Sequence, residues 1–115
     1  MNIKQYKLEN FDYYNIELIK KLVKIFLKEI KNLKIKTFNE TTGFYKNIDL
    51  RTLIKELNKF SKEYTGLDEI ILENKDFSPL GIVVHHELCM VQTDEILKKK
   101  LENELKINLV LYKKE

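Results

Sequence analysis

The stretch IELIKKLVKIFLKEIKNLKI, residues 16–35, decides how this chain is read. Wound as a helix at roughly 100° per residue, it sorts its side chains into two arcs. Lys20, Lys21, Lys24, Lys28 and Lys31 line one arc, with Glu17 among them. Ile16, Ile19, Leu22, Val23, Phe26, Ile30 and Leu33, with Leu18, Ile25 and Leu27, fill the other. The apolar arc spans roughly 200°, about twice what one neighbour covers. Such a helix is expected to pack on its own sheet with one flank and to keep the other for a partner, a second copy included. Glu29 falls inside the arc, where an unpaired buried carboxylate is expensive. It is therefore expected to face solvent or to meet a cation, from this chain or from a partner.

Working outward, residues 2–8 fit a short edge strand, with Ile3, Tyr6 and Leu8 apolar. Asp12 or Asn15 can cap the first helix. Thr41-Thr42-Gly43 signals a turn. A second helix follows a cap at Asn47 or Asp49, with Leu50, Leu53, Ile54, Leu57, Phe60 and Tyr64 at helical spacing and Gly66 as its left-handed stop. Residues 68–73 make a short strand and 74–79 a turn. Gly81 to Gln92 reads as one long strand. Ile82, Val84, His86, Leu88 and Met90 then share the core face, and Val83, His85, Glu87, Cys89 and Val91 the other. His86 is expected as a core histidine bonded to a backbone carbonyl. Thr93 or Asp94 caps a third helix with a thin stripe, Leu97, Leu101 and Leu105. Ile107, Leu109 and Leu111 alternate in a last strand. The expected architecture is a single α+β domain over 1–115. It has two layers: a small, mostly antiparallel sheet of three or four strands, covered by two or three helices.

Composition narrows the function classes. The 115 residues carry a net charge of +3, and Lys outnumbers Arg twenty to one. Ala and Trp are absent, and Ile and Asn abundant, as an AT-rich genome writes by default. Residues 1–36 net +5, residues 37–66 net +1, residues 67–97 net −6 and residues 98–115 net +3. Charge segregated this way suits a charged partner, unless the segments neutralise one another across the fold. The single cysteine, Cys89, forms no intrachain disulfide and points to a reducing compartment. With neither an apolar leader nor a stretch of about 20 apolar residues, the protein is expected to be cytoplasmic, with no transmembrane segment.

Motifs for chemistry are sparse. On an extended strand His85, Glu87 and Cys89 share a face, and imidazole, carboxylate and thiolate all bind zinc. His85-x-Glu87 matches half of a zinc deaminase signature, but the Pro-Cys-x-x-Cys half is missing. Cys89 with a histidine is a nucleophile–base pair only if a cation or helix terminus lowers its pKa, and Glu87 works the other way. No Walker loop, dinucleotide fingerprint, nucleophile elbow or His-Glu-x-x-His is present. These residues are weak catalytic candidates; no metal and no cofactor are expected, and the balance points away from an enzyme.

Binding remains. The favoured expectation is a small non-enzymatic protein that binds a protein partner as an inhibitor or adaptor, of the kind mobile elements such as phages encode. Its contacts would be Lys20, Lys24, Lys28, Lys31 and Glu29 on the first helix, with Asp68, Glu69 and Glu73 from the acidic segment. One alternative is non-specific nucleic-acid binding, the lysines tracking phosphates with Tyr6, Tyr13 and Tyr14 upstream for stacking. With Arg51 alone to offer a bidentate fork, base-specific reading is not expected. A Lys face opposite an Ile/Leu/Phe face also fits a membrane-surface helix, though no Trp marks the boundary. A small metal-dependent enzyme at His85, Glu87 and Cys89 is the third alternative.

Overall fold

The computed structural model describes residues 2–63, 65–74 and 80–112. Strand β1 (Lys4–Leu8) leads to helix α1 (Ile16–Glu29), whose start Asn15 caps by accepting from the Leu18 amide at 3.3 Å. The helix ends at Glu29, not Ile35. Its C-cap, Ile30, is already extended (φ −121°, ψ 123°), and Asn32, at φ 65° in the left-handed conformation that Asn tolerates, turns the chain toward the next strand. Leu33 and Ile35 therefore fall in strand β2 (Leu33–Asn39), where alternation sets the side each one faces. The turn around Gly43 (φ 75°) returns the chain as β3 (Phe44–Ile48).

Asp49 caps α2 (Leu50–Phe60), accepting from the Thr52 amide at 2.7 Å, and the helix buries Leu53, Leu57 and Phe60. Tyr64, expected in the same stripe, lies outside the described residues. Gly66 does have positive φ (81°), but it opens β4 (Leu67–Asn74) rather than closing α2, whose C-cap is Ser61. Residues 75–79 of the expected turn lie outside the described set. The expected long strand is a hairpin: β5 (Gly81–His85) turns at His86-Glu87 into β6 (Leu88–Thr93). Asp94 caps α3 (Glu95–Leu105), accepting from the Leu97 amide at 2.9 Å, and β7 (Leu109–Leu111) closes the order.

The expectation of three or four strands is thus corrected. Among the described residues, seven antiparallel strands form one sheet in the order β3-β2-β4-β5-β6-β1-β7. The extra strands come from the tail assigned to the first helix, from the segment beyond the Gly43 turn, and from the split of residues 81–93. Strand β1 is interior rather than an edge, lying between β6 and β7.

Topology then places the helices. Each helix joins two strands that run the same way with other strands between them: α1 joins β1 to β2, α2 joins β3 to β4, and α3 joins β6 to β7. The first crossover runs one way across the sheet along an up-strand. The other two run the opposite way along down-strands. With the right-handed connection that such crossovers obey, all three helices fall on one face. Burial agrees. The row Ile35–Leu72–Ile82–Val91–Tyr6 and the row Thr37–Ile70–Val84–Cys89 are buried along the register. They share one core cluster with Phe26 of α1, Leu53 and Leu57 of α2 and Leu101 of α3.

α1 is the middle helix and touches both α2 and α3. Its broad apolar arc is what a middle helix needs. Ile19, Leu22, Val23 and Phe26 are buried, and Leu18, Ile25, Leu27 and Ile30 pack against the core from the flanks. The spare flank expected for a partner is occupied by the chain itself.

Phe26 sits at 0% exposure in the centre of this layer. Phe26→Ala is expected to cost about 3–5 kcal/mol by lost transfer energy and cavity formation. Urea denaturation measures it; a midpoint unchanged from wild type would contradict the central placement of α1.

Candidate functional site

The outer surface of α1 and α2 is the most distinctive chemical feature of the molecule. Lys21, Lys24, Lys28 and Lys31 recur at three- and four-residue spacing along one exposed ridge of α1 and its end. Over ten residues that ridge is about 15 Å long. Arg51, Lys55 and Lys62 form a second exposed row on α2 and just past its end. Packed helices lie about 8–10 Å apart, so the two rows make one cationic plate.

The acids of this layer are already engaged. Glu17 pairs with Lys20 at 3.0 Å, Glu56 with Lys46 at 3.1 Å and Glu63 with Lys59 at 3.9 Å. Glu29 meets the cation anticipated for it, Lys100 of α3. A hydrogen bond and the Lys100 charge hold the Glu29 carboxyl below the usual carboxylate range and push the Lys100 ammonium up. Lys20, expected among the contacts, is turned inward to Glu17 and to the Asn58 side chain. Lys21, Lys24, Lys28, Lys31, Arg51, Lys55 and Lys62 have no ion-pair partner among the described residues. At one end of the plate a groove of about 400 Å³ opens between the helices and the sheet edge, with Leu27, Leu33, Ile48 and Leu50 on its apolar walls and Lys34, Asn47 and Asp49 on its polar ones.

The acidic segment does not neutralise this plate. Glu73 pairs with Lys36 at 2.9 Å, and the Tyr45 hydroxyl donates to Glu69 at 2.8 Å. By register both glutamates point to the sheet face opposite the helices. Asp68 sits at the end of the sheet, 2.7 Å from the His86 Nε2. The predicted set is therefore divided. Lys24, Lys28 and Lys31 share one surface with Lys21, while Asp68, Glu69 and Glu73 lie elsewhere.

The hairpin also undoes the expected metal trio. His85 faces Leu88 across the ladder on the open face, Glu87 is in the turn, and Cys89 is buried in the core face opposite Val84. The reversal shifts parity by one, which sends Leu88 and Met90 to the open face and Cys89 and Val91 inward. Burial alone pushes the Cys89 thiol up to about 12, away from the depressed values of nucleophilic cysteines. No group of three or more metal-ligating side chains occurs among the described residues. His86, expected in the core, lies in the turn. Its ring packs 4.5 Å from that of Tyr13, and its partner is a carboxylate rather than a carbonyl. Tyr13 is buried, donates to the Leu67 carbonyl at 3.1 Å and meets Phe60 edge-on at 5.5 Å. Of the three tyrosines considered for stacking, Tyr6 and Tyr13 are buried. Tyr14 is 70% exposed but lies flat on Phe60.

Sequence reasoning missed Arg51, Lys55 and Lys62, although their spacing opposite the α2 stripe was a usable signal. Among the described residues no helix is long and apolar enough to cross a membrane. Comparison with protein-family models, curated proteins and solved structures finds no match to this chain.

Two outcomes follow from this geometry. Cys89 is expected to resist a thiol reagent in the native protein and to react stoichiometrically in urea; rapid native labelling would contradict its burial. Burial first, then Asp68 and Glu69, raises the Tyr13 phenol above its usual value of about 10. Folded and unfolded chains are both protonated there below about pH 10, so this contribution to stability is complete. Above it the unfolded chain ionises first and stability falls. Urea midpoints from about pH 9 to 11 should drop more steeply for wild type than for Tyr13→Phe; equal slopes would remove Tyr13 as the cause.

Proposed function

We propose that this is a non-enzymatic binding protein whose helical face docks an acidic, partly apolar surface of a protein partner, as an inhibitor or adaptor does. The observation that carries the reading is the cationic plate of α1 and α2, whose own acids are consumed in ion pairs while Lys21, Lys24, Lys28 and Lys31 stay unpaired. Unpaired lysines on a solvated ridge cost little by themselves. Arrayed with one sign, they steer an acidic surface into contact and fix its orientation. The partner's acidic side chains meet the lysines. An apolar side chain among them fills the groove walled by Leu27, Leu33, Ile48 and Leu50, giving the interface the buried anchor on which affinity depends.

The leucine and isoleucine walls of that groove favour an aliphatic side chain of a protein over a base, which has no aromatic ring there to stack on. The scarcity of arginine and the burial of Tyr6 and Tyr13 weigh the same way.

The test is affinity purification of the tagged full chain from its own cells, beside Lys24→Glu/Lys28→Glu/Lys31→Glu, with and without nuclease. A stoichiometric protein that survives nuclease and falls at least about tenfold with the triple variant supports the reading. Bound material that nuclease releases assigns the plate to phosphate backbones and overturns it. A partner held equally by the triple variant removes the helical face from the interface.

A further inference from the structure

The sheet face turned away from the helices carries a row that reads almost the same from either side: Lys36–Ile71–Val83–Met90–Lys7 along β2, β4, β5, β6 and β1. Val83 lies on β5, the fourth of seven strands, and so stands at the middle of the sheet. Ile71 and Met90 flank it at one strand on either side, and lysines follow at two. One register step away the row is mixed, with Phe38 and Leu88 at its ends and Glu69 and His85 between them. These side chains are partly exposed, and none belongs to the core cluster or packs against it. No helix among the described residues covers them, since all three lie on the other face. We propose that this face is the interface between two copies of the chain, stacked sheet to sheet about a two-fold axis along β5.

Symmetry favours a second copy. An isologous interface needs a patch that maps onto itself. A two-fold along β5 sets Val83 over its own copy and Ile71 over Met90. It leaves Lys36 and Lys7 at the rims, where long side chains reach water. Lys36 is already neutralised by Glu73. An apolar centre inside a charged rim is the ordinary anatomy of an interface.

Size agrees as well. Seven strands at about 4.8 Å span about 29 Å, and strands of three to eight residues run about 10–26 Å. The flat footprint is about 500–700 Å², and side-chain relief brings it near the roughly 800 Å² per partner of a standard interface.

Charge and edges exclude the other ways two copies could meet. The helical faces would oppose rows of lysines that have no ion-pair partner among the described residues, whereas on the sheet face the two-fold sets Lys7 over Lys36 of the copy, which Glu73 already neutralises. Edge-to-edge pairing is blunted at both ends. β7 is three residues long, and β3 carries Lys46, tied back toward the helices by Glu56. This inference is independent of the partner assigned to the helical face.

Light scattering and sedimentation of the full chain, from about 1 to 100 µM, test it. Wild type is expected to approach twice the chain mass. Val83→Lys, and separately Met90→Glu, should raise the dimer dissociation constant at least about tenfold while far-UV circular dichroism stays that of wild type. Lys28→Glu, on the helical face, should leave the dimer intact. A Val83→Cys variant should cross-link to its own copy through a short bismaleimide, with Cys89 shielded in the core. A wild type that remains monomeric at the highest concentration overturns the proposal. So does a dimer that both folded sheet-face variants leave unchanged, or a Val83→Cys chain that does not cross-link.

Discussion

Three crossovers of one hand govern this molecule. A right-twisted strand feeding a helix returns to the sheet only one way round. The strand order makes the three crossovers equivalent, and the helices accumulate on a single side. α1 has the longest lateral reach, from β1 to β2 across β6, β5 and β4. Its 14 residues span about 21 Å, enough to bury the centre of the sheet, and it leaves the two ends to α2 and α3. Hence its apolar surface is wide, its neighbours are helices on both flanks, and the opposite sheet face has no layer over it among the described residues. Both proposed interaction surfaces are consequences of that asymmetry.

Charge follows the same division. In sequence, cations collect in residues 1–36 and anions in residues 67–97. Folding brings these blocks together in the sheet, where β2 pairs with β4 and Lys36 meets Glu73, but not at the α1 ridge. The basic block supplies the exposed ridge of α1, while the acidic block becomes β4 and the hairpin beyond it, with Glu69 and Glu73 on the open face, Glu87 in the hairpin turn and Glu95 at the start of α3. Glu29–Lys100, between α1 and α3, and Lys46–Glu56, between β3 and α2, use the acids of the helical layer on cations drawn from outside the α1 ridge. Exposed pairs of this kind add little stability. Their consequence is electrostatic: the acids that would have screened the ridge are spent at its borders.

What was legible in the sequence was local. Asn15, Asp49 and Asp94 each stand before an apolar helical period, and each accepts an amide hydrogen bond as an N-cap does. The lysine ridge was legible for the same reason, since three- and four-residue spacing is set by the helix alone. The strand count was not. At Asn32 the helical period of Phe26, Ile30 and Leu33 passes into the strand alternation of Leu33, Ile35 and Thr37, so apolar residues satisfy both patterns across the junction. At His86-Glu87 neither residue has positive φ. The Asn-Gly type of signal that marks a two-residue hairpin has no counterpart there. That one missed reversal flipped every later side chain on the strand, placing Cys89 with His85 on paper and on opposite faces in the fold. The pairing of Glu29 with a residue 71 positions away was beyond local reasoning, although the need for some cation was not.

Geometry also separates the two versions of the proposed function. With two copies joined through their open faces, the sheets stand about 10 Å apart, and a similar step leads outward to each helical layer. The two cationic plates then face away from each other, on opposite sides of a body about 40 Å thick. A single compact acidic partner reaches one plate, and the second copy takes another partner without interference, the geometry of an inhibitor that works one target per chain. An adaptor that joins two acidic proteins needs both plates at once, and the back-to-back arrangement supplies them at fixed separation, so linking needs no flexible tether. Stoichiometry distinguishes the two. Adaptor action disappears when the sheet faces are forced apart with each plate still occupied, whereas one-to-one inhibition survives in the monomer because the plate of α1 and α2 lies wholly within one chain.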